Sequence, residues 1–368
     1  MERVNAAPTF TDLTVADLGG PRARAFFDTC RREIPFDELA ASVADVFGDD
    51  NAAAGGRPHW PVATMLKVLF IQKCFGLSDP AAEEMLKDRI SFRRFVGLSF
   101  DDATPDHSTI STFRTRLRER GHGSTLFDKT LQVLRGRGLV LSGGTLIDAT
   151  IFEAPLGSGR GDGSGTSTAD PCATKTFKHG RPYNGYRAHV ATDARGIITD
   201  YVYDTAAESE HTHFDHLARN EAAKVYADSG CRSRRRVEGL ESRGVFAGLC
   251  HRRVKGQKEL TAGQKAFNRL VSGVRAVVEH PFAWIKRMNG GRTRYRGVTR
   301  NAFDFALAAV AYNFRRSFTI KPGPAAAAAT TGRQGRSRAP PPPPPPPRAP
   351  RRPKRPKMSD KRPHPKSR

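Results

Sequence analysis

The chain has 368 residues, a formal net charge of +24 and a pI near 10.4. That length buries one large core or two modest ones, so no staple is required, and the charge calls for a polyanionic partner, usually nucleic acid. Five cysteines without a CxxC pair exclude a zinc ribbon and a disulfide framework. The longest apolar run, Phe305 to Tyr312, is far below the roughly 20 residues that span a bilayer, and the N-terminus has no apolar stretch of signal type. The composition reads as a soluble cytoplasmic protein associated with the nucleoid.

Residues 1 to 34 read as irregular. From Phe36 to Phe47 the apolar positions Phe36, Leu39, Ala40, Val43, Val46 and Phe47 recur at three and four, the signature of a helix face. A Gly/Asp/Asn/Ala stretch from Gly48 to Gly56 breaks that pattern. Pro61 then opens a helix whose stripe is Met65, Leu66, Leu69, Phe70 and Cys74, with Gly76 just past its end. Ser78-Asp79-Pro80 starts another helix, and a short one follows around Ser91 to Val96. The segment after Pro105-Asp106 carries Arg114, Arg116, Arg118 and Arg120, which fits either a helix-turn-helix-like DNA contact or a helical bundle with a solvated basic face. Arginines two residues apart do not share one helix face, which argues against a common groove contact. Ser124 to Leu134 is one more helix.

After Gly136-Arg137-Gly138 the period changes to that of strands: Thr145 to Ile151, Gly185 to Thr192, Ile197 to Tyr203, Lys224 to Ala227 and Val245 to Cys250. Gly196 marks a tight hairpin between the second and third, and the Gly/Ser/Thr-rich stretch from Pro155 to Pro182 reads as a mobile loop. Helices are expected from about His213 to Ala223 and Ser233 to Gly244, giving a mixed sheet covered on both faces. A long helix from Gly263 to Arg287 holds Pro281, which requires a kink near Val277 to Pro281 or a fresh start. A last helix runs from Asn301 to Arg315. Beyond Lys321 lie fifteen of the 26 prolines and fourteen Lys or Arg against one acid, so this disordered tail holds +13 of the charge and the body keeps +11.

Asp148 and Asp228 each end a few apolar residues of strand type, a place from which aspartate is normally excluded. Glu279 lies on the long helix between Arg275 and Lys286, which fall roughly on its face. Three acids from separate segments can hold a pair of divalent cations about 4 Å apart for in-line phosphoryl chemistry. Arg275 and Lys286 are the candidate phosphate contacts beside them. The histidines His211, His213 and His216 read as a solvated helix entry rather than a metal site, and Glu153 and Asp193 as structural acids.

Further motifs accompany these: Gly56-Arg57-Pro58, Leu77-Ser78-Asp79, Pro105-Asp106-His107-Ser108-Thr109, Phe113-Arg114, Leu146-Ile147-Asp148-Ala149-Thr150, Asp170-Pro171, Gly185-Tyr186-Arg187-Ala188-His189, Ala227-Asp228-Ser229-Gly230 and Asn313. In order and spacing, from about Pro35 to Arg316, the set resembles the DDE transposases of bacterial insertion sequences, in particular the insertion-sequence-five family of the insertion-sequence-four superfamily. The resemblance implies an α/β fold with an RNase H-like mixed sheet flanked by helices. An all-helical DNA-binding domain at 35–138 would precede the catalytic domain at 139–320, and the basic tail at 321–368 would follow. It further implies Asp148, Asp228 and Glu279 as catalytic and metal-binding acids and two Mg²⁺ or Mn²⁺ ions. Cleavage at inverted-repeat ends and strand transfer would act on double-stranded DNA, through a homodimer. Arg114 and Arg187 join Arg275 and Lys286 as candidate DNA-phosphate contacts. Two departures stand out: Ser272 occupies the place of a superfamily tyrosine three residues before Arg275, and the tail has no counterpart. An RNase H-like nuclease without strand transfer, and a DNA-binding protein with a decayed core, are the rival readings.

Overall fold

A computed structural model of the chain describes residues 21–48, 58–155, 169–178, 180–221 and 223–320. The readings for residues 1–20, for the break at 49–57, for 156–168 of the long loop and for the tail at 321–368 lie outside the described residues.

Residues expected to be irregular begin with a helix, α1 (Pro21–Glu33). It is polar along most of its length, but Phe27 and Cys30 are buried, and Phe27 packs at 4.8 Å on Phe95 and at 5.4 Å on Phe92. The Phe36 face forms α2 (Phe36–Ala41) and then tightens into a 3₁₀ turn, Ala44–Phe47. At the centre of the bundle stands α3 (Val62–Phe75), closed by Gly76 in the left-handed region (φ 68°). It is buried almost all round, from Thr64 to Cys74, rather than along one stripe. Three helices follow: α4 (Asp79–Asp88), α5 (Ile90–Val96) and α6 (His107–Glu119). Ser78 Oγ accepts from Ala81 N at 3.2 Å and Asp106 Oδ1 from Thr109 N at 2.7 Å, so side chains satisfy the first amides of α4 and α6. The bundle ends with α7 (His122–Gly136).

The arginines of α6 fan out, as their spacing requires. Arg116 lies over Phe47, Arg118 pairs with Glu119 and Arg120 with Asp45. Arg114 corrects the expectation of a phosphate contact: it is buried, its Nη1 donates to Asp79 Oδ2 at 2.9 Å, and its guanidinium covers the Tyr295 ring. A guanidinium committed to a carboxylate and a ring within the core has nothing left for DNA.

The sheet has six strands among the described residues. β1 (Thr145–Glu153) pairs antiparallel with β3 (Arg181–Thr192), and β3 with β4 (Ile198–Thr205). On its other edge β1 runs parallel to β5 (Lys224–Ala227), which runs parallel to β6 (Phe246–Leu249). Three antiparallel strands followed by two parallel ones give the RNase H-like core. An unforeseen strand, β2 (Thr174–Lys178), extends the sheet along the first residues of β3. Gly185 is where β3 closes on β1: a Cβ there would stand 2.0 Å from the Phe152 carbonyl oxygen, so only glycine permits the approach.

Both faces of the sheet are covered. Leu146, Phe152, Ala188 and Val190 join the large core of the bundle, while Ile147 and Ala191 pack with Phe214, Leu217, Leu240 and Val245 on the reverse. The reverse face carries α8 (Phe214–Leu217), a single turn where a longer helix was expected, and α9 (Arg234–Glu241). Asp193 is structural as expected, accepting from Leu141 N, Arg195 N and Ile197 N at 2.8–3.0 Å to hold the β3–β4 hairpin.

The chain closes with α10 (Ala262–Arg275), α11 (Glu279–Asn289) and α12 (Val298–Ser317). Although it comes last, α12 packs on α3 and α7 of the bundle as well as on β4. Asn313 fastens it to the hairpin by donating to Ile198 O at 2.8 Å and accepting from Ile198 N at 2.9 Å. Asp304 fastens it to α3 through a buried ion pair with Lys73. The apolar core thus continues across the expected 138/139 boundary without interruption. Asp304→Ala should destabilise the protein by about 3–5 kcal/mol, because the Lys73 ammonium is left buried and uncompensated. In urea titrations Lys73→Met with Asp304→Leu should recover most of that loss.

Candidate active site

The two aspartates meet because of strand register. Thr145 pairs with Val225 and Leu146 with Tyr226, so two residues further on Asp148 of β1 and Asp228, just past β5, stand at the same level on neighbouring parallel strands. Adjacent strands lie about 4.8 Å apart. Asp148 Oδ1 accepts from Ala149 N at 2.8 Å, while Asp228 heads a 3₁₀ turn, Ser229–Cys231, that its carbonyl closes by accepting from Cys231 N at 3.1 Å.

A single cation joins them. Helix α10 is fixed at its start by a capping box between Thr261 and Gln264, and it lies against β5, β6 and β1. At its last residue, Arg275 places Nη2 3.1 Å from Asp148 Oδ2 and Nη1 3.6 Å from Asp228 Oδ1. The Arg275 side chain is only 14% exposed, against 23% for Asp148 and 46% for Asp228. Its Nε is buried without a hydrogen-bond partner. Burial pushes the Asp148 carboxyl above its usual range, Arg275 pulls it back, and the charge of Asp228 adds to the rise. Arg275, expected as a DNA contact, is therefore committed to the acids themselves.

Past Arg275 the helix changes pitch to 3₁₀ over Ala276–Val278, then restarts as α11 with Glu279 as its first residue. Pro281 explains the break, since it has no N–H to donate to residue 277 and its ring clashes with that carbonyl. Glu279 is exposed and stands four residues beyond Arg275. Among the described residues no three His, Cys, Asp or Glu side chains are gathered to hold a metal ion. The structure thus brings Asp148 and Asp228 together and leaves Glu279 outside the pair, at the head of the next helix.

The other sequence candidates are placed as follows. Lys286, on α11, lies 5.9 Å over the Phe152 ring, and burial followed by the charge of Lys178 lowers its pKa. Arg187 is buried, donating from Nη2 to Thr176 Oγ1 at 3.2 Å, so it too misses the surface that a phosphate contact needs. His213 lies 3.4 Å from Asp204 and packs on His189, His216 pairs with Asp200, and His211 contacts Ser209. Sequence reasoning missed Glu210, whose carboxyl is raised by burial and then by the charge of Asp148, and Lys178, whose charge acts on Asp148, Glu210 and Lys286. Neither carries a sequence signal, since one lies in a turn and the other at the end of the unforeseen β2.

Paired aspartates at the mouth of an RNase H-like sheet define a protein that handles divalent cations and phosphodiesters. Residues 21–116 match the family described as "Transposase domain (DUF772)", and residues 141–314 match "Transposase DDE domain". The chain belongs to the DDE transposases, of the insertion-sequence four/five kind, and is an enzyme of that class. A cryo-EM structure of the piggyBac transposase synaptic complex with hairpin DNA is similar at 10% identity and a TM-score of 0.41, covering 90% of this chain and 79% of that one. No helix among the described residues is long and apolar enough to cross a membrane.

Proposed function

We propose that the chain cuts DNA at the inverted-repeat ends of its element and joins the freed 3′-hydroxyls to target DNA, with Asp148, Asp228 and Glu279 as its acids. The observation that carries this reading is the common level of Asp148 and Asp228, already bridged by one cation. A carboxylate pair that gathers a guanidinium from the end of a helix is a donor set suited to hard divalent cations, so the residues fit Mg²⁺ or Mn²⁺. When bound, such ions activate the attacking oxygen and stabilise the departing one. The two aspartates would hold them, and Glu279 would complete the ligand set by closing from the head of α11.

The remaining residues have roles of their own. Once separated from the aspartates, Arg275 becomes a guanidinium free to clamp a phosphate bidentately. Lys286, part-buried above Phe152, supplies a second positive charge one flank away. A body that is basic without its tail draws in the duplex by a salt-sensitive, sequence-independent term. Working on two element ends at once calls for two copies of the chain on DNA.

Pre-cut ends with free 3′-hydroxyls, incubated with Mg²⁺ and a circular target, are expected to yield joined products that Glu279→Gln abolishes. Cutting of uncut ends without any joining would favour the nuclease reading. Full joining by Glu279→Gln would remove Glu279 from the site.

A further inference from the structure

A cavity of about 690 Å³ opens between the end of β1, the β2–β3 hairpin and the segment Arg292-Thr293. That volume is in the range of sites that hold small organic groups, ~300–1,000 Å³. Its wall is firm, because Glu153 N donates to Gly291 O at 3.0 Å and Thr293 N to Glu153 O at 2.8 Å. Three polar atoms on that wall have no partner. Asn184 is 6% exposed, yet neither its Nδ2 nor its Oδ1 makes a hydrogen bond, and Thr293 Oγ1 is buried in the same condition. Burying a side-chain amide without partners is costly, and native proteins seldom do so without a reason. At the rim Phe177 is 74% exposed, an unusual setting for so large an apolar ring, with Tyr183 beside it and the cations Lys175 and Arg292 flanking.

We propose that this cavity takes one unstacked nucleobase of a DNA strand. An amide offers a donor and an acceptor side by side, the complement of a base edge. Phe177 offers a stacking face, which serves any base. Lys175 and Arg292 meet the phosphates on either side of it. The cavity begins at Glu153, five residues along β1 from Asp148, or about 17 Å at strand rise. That is about five steps along a stacked strand at roughly 3.4 Å per nucleotide. The inference rests on the reading that the strand being cut passes over Asp148, and it adds a place that holds that strand out of the helix.

The test measures binding by the full chain without divalent metal, using fluorescein-labelled duplexes that carry a six-nucleotide single-stranded extension. Each extension position is made abasic in turn. The parent protein should lose about tenfold in affinity at one position, in line with the loss of one base–aromatic stack. Phe177→Ala and Asn184→Leu should bind intact and abasic extensions alike, while their affinity for blunt duplex stays that of the parent. Equal binding of intact and abasic DNA by the parent at every position would overturn the proposal, as would an undiminished preference in Phe177→Ala. The exposed Phe177 decides the matter if Asn184→Leu fails to fold. Cleavage retained by Asp148→Asn would count against the proposed active site and leave this result standing, so the two failures are distinguishable.

Discussion

Asp148→Asn should reduce Mg²⁺-dependent cleavage of element ends by at least about 10³-fold, well beyond the 10–100-fold typical of losing an outer partner of a metal ligand. The amide keeps the size of the carboxylate and its Oδ1 can still accept from Ala149 N, so the local backbone has no reason to move. What it loses is the negative charge, half of the pair that Asp148 and Asp228 form at one level of the sheet. Gel-shift affinity for the uncut end should remain within about twofold, since sequence-independent DNA binding is a matter of phosphates and cations. Cleavage at the parent rate by the asparagine variant would show that this pair is not where the chemistry happens.

Arg275→Gln should have the second largest effect, and in two opposite directions. Removing a cation that lies 3.1 Å from Asp148 and 3.6 Å from Asp228 leaves two like charges facing each other, so the metal-free protein should melt earlier. Charge-assisted hydrogen bonds contribute about 1.5–3 kcal/mol each, less for partners as exposed as Asp228, so a loss of about 1–2 kcal/mol is expected. The same vacancy removes a competitor for divalent cations. Mn²⁺ titration followed by electron paramagnetic resonance should therefore show binding about tenfold tighter, a change of about 1.4 kcal/mol. Cleavage should fall all the same, because the phosphate clamp is gone. Unchanged Mn²⁺ affinity together with unchanged melting would mean that the guanidinium does not guard the acids.

Much of this site was legible in the sequence. Lys224 to Ala227 was placed with its true bounds because a short apolar run flanked by polar residues has few other interpretations, and Asp228 is conspicuous at its end. Glu279 was legible through Pro281, whose effect on a helix is local chemistry and needs no tertiary partner. Other features were hidden for physical reasons. The Thr-Lys-Thr-Phe-Lys sequence of β2 has no apolar alternation, because the strand earns its place by pairing with the β3 backbone and is exposed or half-exposed throughout. α1 offers few apolar positions among its arginines, and it is held by rings from α3 and α5 that no local window contains. Arg114 and Arg275 look alike in sequence, each a basic residue on a helix. Only the fold shows that one pairs with Asp79 inside the bundle and the other with the paired aspartates. The orphaned amide of Asn184 is a fact of burial, and burial is not written in any single stretch.

The position of α12 has a consequence for how the gene can fail. Phe305, Leu307 and Phe314, near the end of the described chain, fill the same apolar interior as Phe27, Leu69 and Leu131. A premature stop or frameshift before residue 298 would hollow out the front of the protein along with its rear, so no DNA-gripping fragment would survive to occupy the element's ends and block an intact copy.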